Sequence, residues 1–464
     1  MAFASIRPAP SPQKPEMVDS SQDTVVHRLT LDTVIEQLPF SRLYFLIIIA
    51  GGLAHGFDAF DTFTIAYAMP AIIKAWHLTP VVNGMLASAG MWGTLLGGLL
   101  WGPISDRFGR KVGFAGTILG FSLLTGLTAF AITVPQFLSF RFITGLCLGG
   151  LPPCASTYIA EQMSSKHRGR AIASTLIWWP LGAFAAAVAG FTLVPRYGWK
   201  PLFLLGGLPI FLSFVVIIVL PESPRWLAMK RETAKLEKVL KQLGASSKQI
   251  EYLQPGETVM RFELKSLLRP PYRIRFIATA GSYLVGYFAY FGWTLWLPSI
   301  LVSVFHFELG RSFLYTLIAA LFGVLGKTTA YYVVEKLGRK AVFYCGYGPA
   351  AVLALIFGFL HNPTLILACA CLLGYSLDLG ASGHFVWTPE LYPSYMRGTA
   401  NSWSSAAGKI GAALAPLCFG MFISAHRIQF LYLSMAVACS LVCAIVAVIG
   451  IETRDKVLSE IEAA

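Results

Sequence analysis

The chain has 464 residues, of which 56% are apolar and 13% charged, with a formal net charge of +13. Soluble domains carry about 25% charged residues, so this composition excludes an ordinary soluble enzyme or binding module. The basic excess fits either nucleic acid or membrane topology, and its placement decides between them.

Residues 1–20 are rich in Pro and Ser and lack an apolar run, so they read as a disordered tail and not a signal peptide. Thr30 is placed to cap a short helix with Leu31, Val34, Ile35 and Leu38 on one face, expected along the inner membrane surface. Twelve segments follow that are long enough to span a hydrocarbon core of roughly 30 Å. They lie near 43–70, 83–105, 112–133, 135–160, 171–193 and 200–220, then 274–304, 311–334, 341–360, 363–388, 399–423 and 427–450. The expected fold is an all-α membrane protein with twelve transmembrane helices in two pseudo-symmetric six-helix halves, 41–221 and 274–452. Residues 1–40 and 453–464 form tails; 222–273 is a polar cytoplasmic linker with helical periodicity at Thr233–Leu243.

Of the 36 Lys and Arg residues, 28 fall in the tails and the even-numbered loops, five in the alternate loops and three inside spans. That is the positive-inside pattern with both termini cytoplasmic, so the charge is topological and nucleic-acid binding is not supported. The eight cysteines all fall in predicted spans without metal spacing and read as small apolar packing residues. No nucleophile–base constellation appears, so neither an enzyme nor a cofactor is expected. The expected partners are a small-molecule substrate and membrane lipid, and the chain is expected to be a monomer.

Two motifs are written twice at one offset of 229 residues. Gly102, Asp106, Arg107, Gly109, Arg110 and Lys111 return as Tyr331, Glu335, Lys336, Gly338, Arg339 and Lys340. Glu161 with Arg168-Gly169 returns as Glu390 with Arg397-Gly398. A shared offset means two halves of equal layout, and duplication around an apolar chain is the pattern of a membrane transporter.

Gly102–Lys111 resembles the loop 2–3 motif of the major facilitator superfamily, G-x-x-x-D-[RK]-x-G-[RK]-[RK]; the second copy departs from it at Tyr331. In physical terms, Gly102 removes a side chain where two helices approach, and Asp106 is placed to cap a neighbouring helix. Arg107, Arg110 and Lys111 offer partners to carboxylates. The resemblance covers roughly 40–452. It implies a cytoplasmic gate of ion pairs, built from Gly102, Asp106, Arg107, Arg110, Glu161, Arg168, Glu335, Arg339, Glu390 and Arg397, that holds one conformation and releases in the other. Pro221-Glu222-Ser223-Pro224-Arg225 is similar to the matching signal of the sugar-porter-like branch and adds Glu222 to that network. The seventh span lacks the paired glutamines of hexose porters. The fifth has Trp179-Pro180-Leu181-Gly182 and not the G-P-x-x-G-G of drug/proton antiporters. Both of those functions lose weight.

Asp58 and Asp61 lie three residues apart in the first span, hence on one helical face. A carboxylate inside a membrane is expensive to ionise, which suits groups that load and lose protons. Asp58-Ala-Phe-Asp61-Thr62 is similar to the D-G-x-D-T motif of the aromatic acid:proton symporters, with Ala59 replacing the glycine. Arg141-Phe-Ile-Thr-Gly145 matches that family's pattern in the fourth span. By this resemblance Asp58, Asp61 and Arg141 carry proton coupling. At 1.5 Å per residue, Arg141 lies about 9 Å and Asp61 about 13 Å deep, so they pair if their helices adjoin.

In the second half Lys409 is too deep to snorkel, so it faces the central cavity or pairs with Asp378. A cation facing a cavity suits a carboxylate substrate. Lys327 is near enough to the inner surface to snorkel, and His384 reads as structural. Tyr283, Tyr287 and Tyr290 form one stripe on the seventh span, and Trp179 and Trp403 occupy corresponding spans of the two halves. These are candidates to stack an aromatic ring, against the alternative of interfacial anchoring. The expected function is proton-coupled uptake of a small organic anion, an aromatic carboxylate by resemblance, through alternating access in the inner membrane. A carrier of neutral solutes such as sugars or polyols remains open, as does a non-transporting nutrient receptor on the same fold.

Overall fold

The computed structural model describes residues 31–39, 41–246, 267–270, 272–392, 394–425 and 427–452. The Thr30 cap, the tails 1–30 and 453–464, part of the linker and the Arg397 side chain lie outside the described residues. Among those described, every regular element is a helix. The first half contains α1 (Leu31–Gln37), α2 (Arg42–Trp76), α3 (Pro80–Phe108), α4 (Arg110–Thr128) and α5 (Val134–Gln162). It continues through α6 (Ser165–Leu176), α7 (Trp178–Tyr197), α8 (Lys200–Gly206) and α9 (Ile210–Val219). The linker forms α10 (Pro224–Met229) and α11 (Thr233–Leu243). The second half contains α12 (Tyr272–Ser303), α13 (Leu309–Leu337), α14 (Arg339–Phe357), α15 (Pro363–Glu390), α16 (Ser394–Ser424) and α17 (Ile428–Val448).

Local chemistry starts these helices where the sequence changes character. Thr79, Thr133 and Asn362 each accept a backbone N–H of the following turn, with a proline at its start. The repeated glycines end α3 and α13 in the same unusual backbone region, with φ of +120° at Gly109 and +97° at Gly338. The textual echo is a repeated turn.

Eleven helical stretches are long and apolar enough to cross a membrane, with α6–α7 and α8–α9 each counting within one stretch. The 29-residue α3 is not among them. Its composition serves close packing instead. A Cβ at Gly93 or Gly97 would lie 2.0 Å from a carbonyl oxygen of α5, and one at Gly145 would lie 2.0 Å from Gly90. Glycines there exchange hydropathy for direct backbone contact between α3 and α5.

The halves meet where α3 packs on α16, α2 on α12, and α7 on α13. At the Pro80 end the first seam is tight: Ser88 Oγ donates to the Ala413 carbonyl at 2.7 Å, and a Cβ at Gly84 would lie 2.5 Å from the Pro416 carbonyl oxygen. At the Asp106 end, a Cβ at Gly102 would meet nothing within 4 Å among the described residues. The close helix approach expected at Gly102 is therefore absent from this conformation among the described residues.

The short helix α1 also differs from expectation. Leu31, Val34, Ile35 and Leu38 are buried in one cluster with Trp226, Leu227, Leu236, Val239, Leu240 and Leu243. Protein from the linker covers the apolar face that was expected to lie on lipid.

Candidate functional site

Two carboxylates one turn apart on α2 occupy different environments. Asp61 is fully buried and accepts hydrogen bonds from Arg141 Nη1 at 2.8 Å and Nη2 at 2.9 Å, and from Thr125 Oγ1 at 2.6 Å. Arg141 reaches it from α5 and Thr125 from α4. The guanidinium also lies 5.8 Å from the Phe203 ring centre. This pair is internally satisfied, and removing one partner from such a buried pair costs about 3–5 kcal/mol. Asp58 instead has Lys409 as its electrostatic neighbour. Lys409 extends from α16 across the seam and donates to the Thr94 carbonyl of α3 at 3.4 Å. The Lys409 ammonium of the second half thus reaches α3 of the first, within electrostatic range of Asp58.

Asp378 does not pair with Lys409. It lies 3.1 Å from Lys327 Nζ, which makes the ion pair internal to the second half, between α13 and α15. Lys327, near enough to the inner surface to snorkel, instead turns toward Asp378. Its ammonium lies 6.0 Å from the Tyr290 ring centre. The pair borders a cavity walled by Phe63 and Tyr67 of α2, Phe184 of α7, and Tyr290 and Trp293 of α12.

The tyrosine stripe divides. Tyr290 lines this cavity, whereas Tyr283 is 1% exposed and packs 4.5 Å from His384, ring centre to ring centre. Tyr283 therefore belongs to the interior of the second half. Tyr287 is half-buried between Tyr283 and Phe291. Trp179 stands behind the wall, edge-on to Phe63 and His55 with centres 6.3 Å apart in each case. Trp403 is 39% exposed and does not line this cavity.

At the Asp106 end, Arg110 pairs with Asp106 and with Glu161, the latter at 3.0 Å, while Ser223 Oγ donates to Glu161 at 2.5 Å. The expected helix cap is supplied by Glu222, not Asp106: its carboxylate accepts from the Lys111 backbone N–H at 2.9 Å and that of Ser223 at 2.8 Å. Burial pushes the Glu222 carboxyl above its ordinary range, opposed by these hydrogen bonds. In the second half Arg339 grips Glu390 at 2.8 and 2.9 Å. Glu452 accepts from the Arg339 and Lys340 backbone at 3.0 Å each. These pairs each stay within one half. Arg107 and Glu335 are exposed, and Arg168 makes no ion pair among the described residues.

Sequence reasoning missed Glu452, Thr125 and Thr94, and undervalued Lys327. The signal for Glu452 was its position 230 residues after Glu222, one residue out of the repeat. Among the described residues no group of three or more His, Cys, Asp or Glu could hold a metal.

The family model described as "Sugar (and other) transporter" matches residues 45–464. The chain is 34% identical over 433 residues to the niacin transporter NiaP of Acinetobacter baylyi, covering 92% of this chain and 98% of that one. It is 29% identical to the 4-hydroxybenzoate transporter PcaK of the same organism, covering 88% and 90% respectively. Its fold is similar to an inward-open structure of the xylose transporter XylE from E. coli, with TM-score 0.71 and 20% identity over 90% of this chain and 99% of that one. With its apolar helices and these bacterial relatives, the chain is an integral, multi-pass inner-membrane protein and not an enzyme.

Proposed function

This chain belongs to the Sugar (and other) transporter family, within the major facilitator superfamily, and on that footing we propose that it takes up a small aromatic carboxylate together with protons by alternating access. The observation that carries this reading is the arrangement of interfacial charge. Asp58 of the first half lies within electrostatic reach of Lys409 of the second, which bonds across the seam to the Thr94 carbonyl, and one helical turn from the closed Asp61–Arg141 pair.

A proton arriving on either aspartate neutralises one member of a buried charge set. The cation left behind is then short of an anion, and a stranded buried charge costs several kcal/mol. A substrate carboxylate entering between the halves restores the balance of charge. Proton and substrate therefore favour each other's binding, which is the thermodynamic content of symport. The aromatic wall of Phe63, Tyr67, Phe184, Tyr290 and Trp293 suits a flat ring. The named substrates of the two relatives, niacin and 4-hydroxybenzoate, both join one ring to one carboxylate. Unlatching of Arg110–Glu161 and Arg339–Glu390 accompanies rearrangement at the Asp106 end, which gives these residues their gating role.

A thermal-shift screen tests the substrate class. Ligand at 100 times its Kd stabilises the folded state by about 2.7 kcal/mol. Niacin, benzoate and 4-hydroxybenzoate should raise Tm, whereas nicotinamide, xylose and aromatic amines should not. Stabilisation by neutral solutes without any by carboxylates would replace this reading with neutral-solute transport.

A further inference from the structure

We propose that Lys327 grips the substrate's carboxylate by exchanging its internal partner Asp378, which then takes up a proton. This inference rests on the aromatic-carboxylate reading above.

Two lysines project into the seams between the halves, and the chain's own repeat relates their positions. By the 229-residue offset, Gly98 and Pro180 of the first half correspond to Lys327 and Lys409 of the second. Lys409 lies against Gly98 across the α3–α16 seam, where a Cβ at Gly98 would be 3.6 Å from its Nζ. Lys327 and Pro180 line the same cavity at the α7–α13 seam. Each seam thus carries one lysine at an equivalent place. Their surroundings differ. Lys409 already donates to the Thr94 carbonyl, in the seam that is closed at its Pro80 end. Lys327 has a carboxylate on one side and a cavity on the other, with 30% of its side chain accessible.

The cavity is built around that pair. Gly323 stands one turn before Lys327 on α13, and a Cβ there would lie 2.2 Å from Asp378 Oδ2. The glycine makes room for a carboxylate beside the lysine. Across the cavity, α2 and α7 present Phe63, Tyr67 and Phe184, apolar faces able to sandwich a ring whose carboxylate points at Lys327.

Charge balance dictates the exchange. One buried ammonium supports one anion at low cost. In the empty carrier that anion is Asp378. When a substrate carboxylate replaces it, two carboxylates would share one lysine, leaving an unbalanced negative charge in a poorly solvated cavity. A proton taken from water onto Asp378 restores balance, so one anion and one proton enter and the site's net charge is unchanged. The other titratable groups facing the pair are Tyr290 of α12 and Tyr347 of α14, with Tyr67 of α2 on the far wall. From α7 the wall is Pro180, Ala183 and Phe184, none of which titrates.

The test is titration calorimetry of the purified full chain with niacin and benzoate, repeated in buffers of different ionisation enthalpy to count protons. Lys327→Gln should bind at least about tenfold more weakly, as expected when one member of a buried charge pair is lost. Asp378→Asn, having no competing anion, should bind at least as tightly as the wild type while taking up about one proton fewer, the proton that linkage assigns to Asp378. The double variant Lys327→Gln/Asp378→Asn leaves no stranded charge and should bind as weakly as Lys327→Gln, which guards against misfolding of the single variant. Wild-type affinity in the double variant would overturn the assignment. So would an Asp378→Asn variant that weakens in step with Lys327→Gln, since the pair would then be merely structural. If the wild type bound neither acid, the aromatic-carboxylate reading itself would fall; binding that ignores Lys327 would remove only this inference.

Discussion

Asp61 receives three hydrogen bonds, two from the guanidinium that neutralises it and one from Thr125. Two effects of mutation are therefore separable. Asp61→Asn strands Arg141 and should cost about 3–5 kcal/mol of stability as well as proton-driven accumulation. Asp61→Asn/Arg141→Gln removes both charges and should recover much of the Tm in thermal melts, yet still fail to accumulate substrate. Full accumulation by the double variant would remove the pair from the coupling assignment. These residues were legible in the sequence because charge inside an apolar span is rare and has few innocent uses. Lys327 was not. Depth along a helix cannot distinguish a lysine reaching outward to water from one turned inward to an aspartate on a neighbouring helix. The tyrosines show a related limit: a helical stripe reports a shared face, and that face passes from the cavity at Tyr290 into the packed interior at Tyr283 and His384.

Among the elements, α4 and α14 begin alike, each with its first backbone N–H groups held by a glutamate that follows the last membrane helix of its half. Glu222→Ala and Glu452→Ala should each lower stability by about 0.5–2 kcal/mol, as for other lost helix caps. Thermal melts of the purified variants measure this, and an unchanged Tm for both would show that the caps contribute nothing. The repeat made the paired turns at Gly109 and Gly338 readable, because a backbone that needs positive φ restricts residue choice. The cap itself drifted by one residue between the copies, so a fixed offset overlooked Glu452. α3 shows another limit. Its glycines reduce its apolarity while serving backbone contact with α5, a role visible only once the two helices are packed.

For the whole molecule, the α3–α16 seam is joined at its Pro80 end, whereas Gly102 near the other end of α3 has no close neighbour among the described residues. Alternating access requires the joined end to open. Cysteines at Ser88 and Ala413, in a chain stripped of native cysteines, should be joined by a short bis-methanethiosulfonate crosslinker, which forms a disulfide with each thiol and releases sulfinate, stopping transport until a reductant cuts the link. Unimpaired transport by the crosslinked protein would show that the seam need not open. The central claim, proton-driven carriage of an aromatic acid, is tested most directly in proteoliposomes holding the purified protein under an imposed pH gradient. With the acidic side outside, labelled niacin or 4-hydroxybenzoate should accumulate inside above its external concentration beyond that in protein-free vesicles, and that excess should collapse when a protonophore is added. Accumulation that ignores the gradient, or simple equilibration of both acids with and without it, would contradict the account.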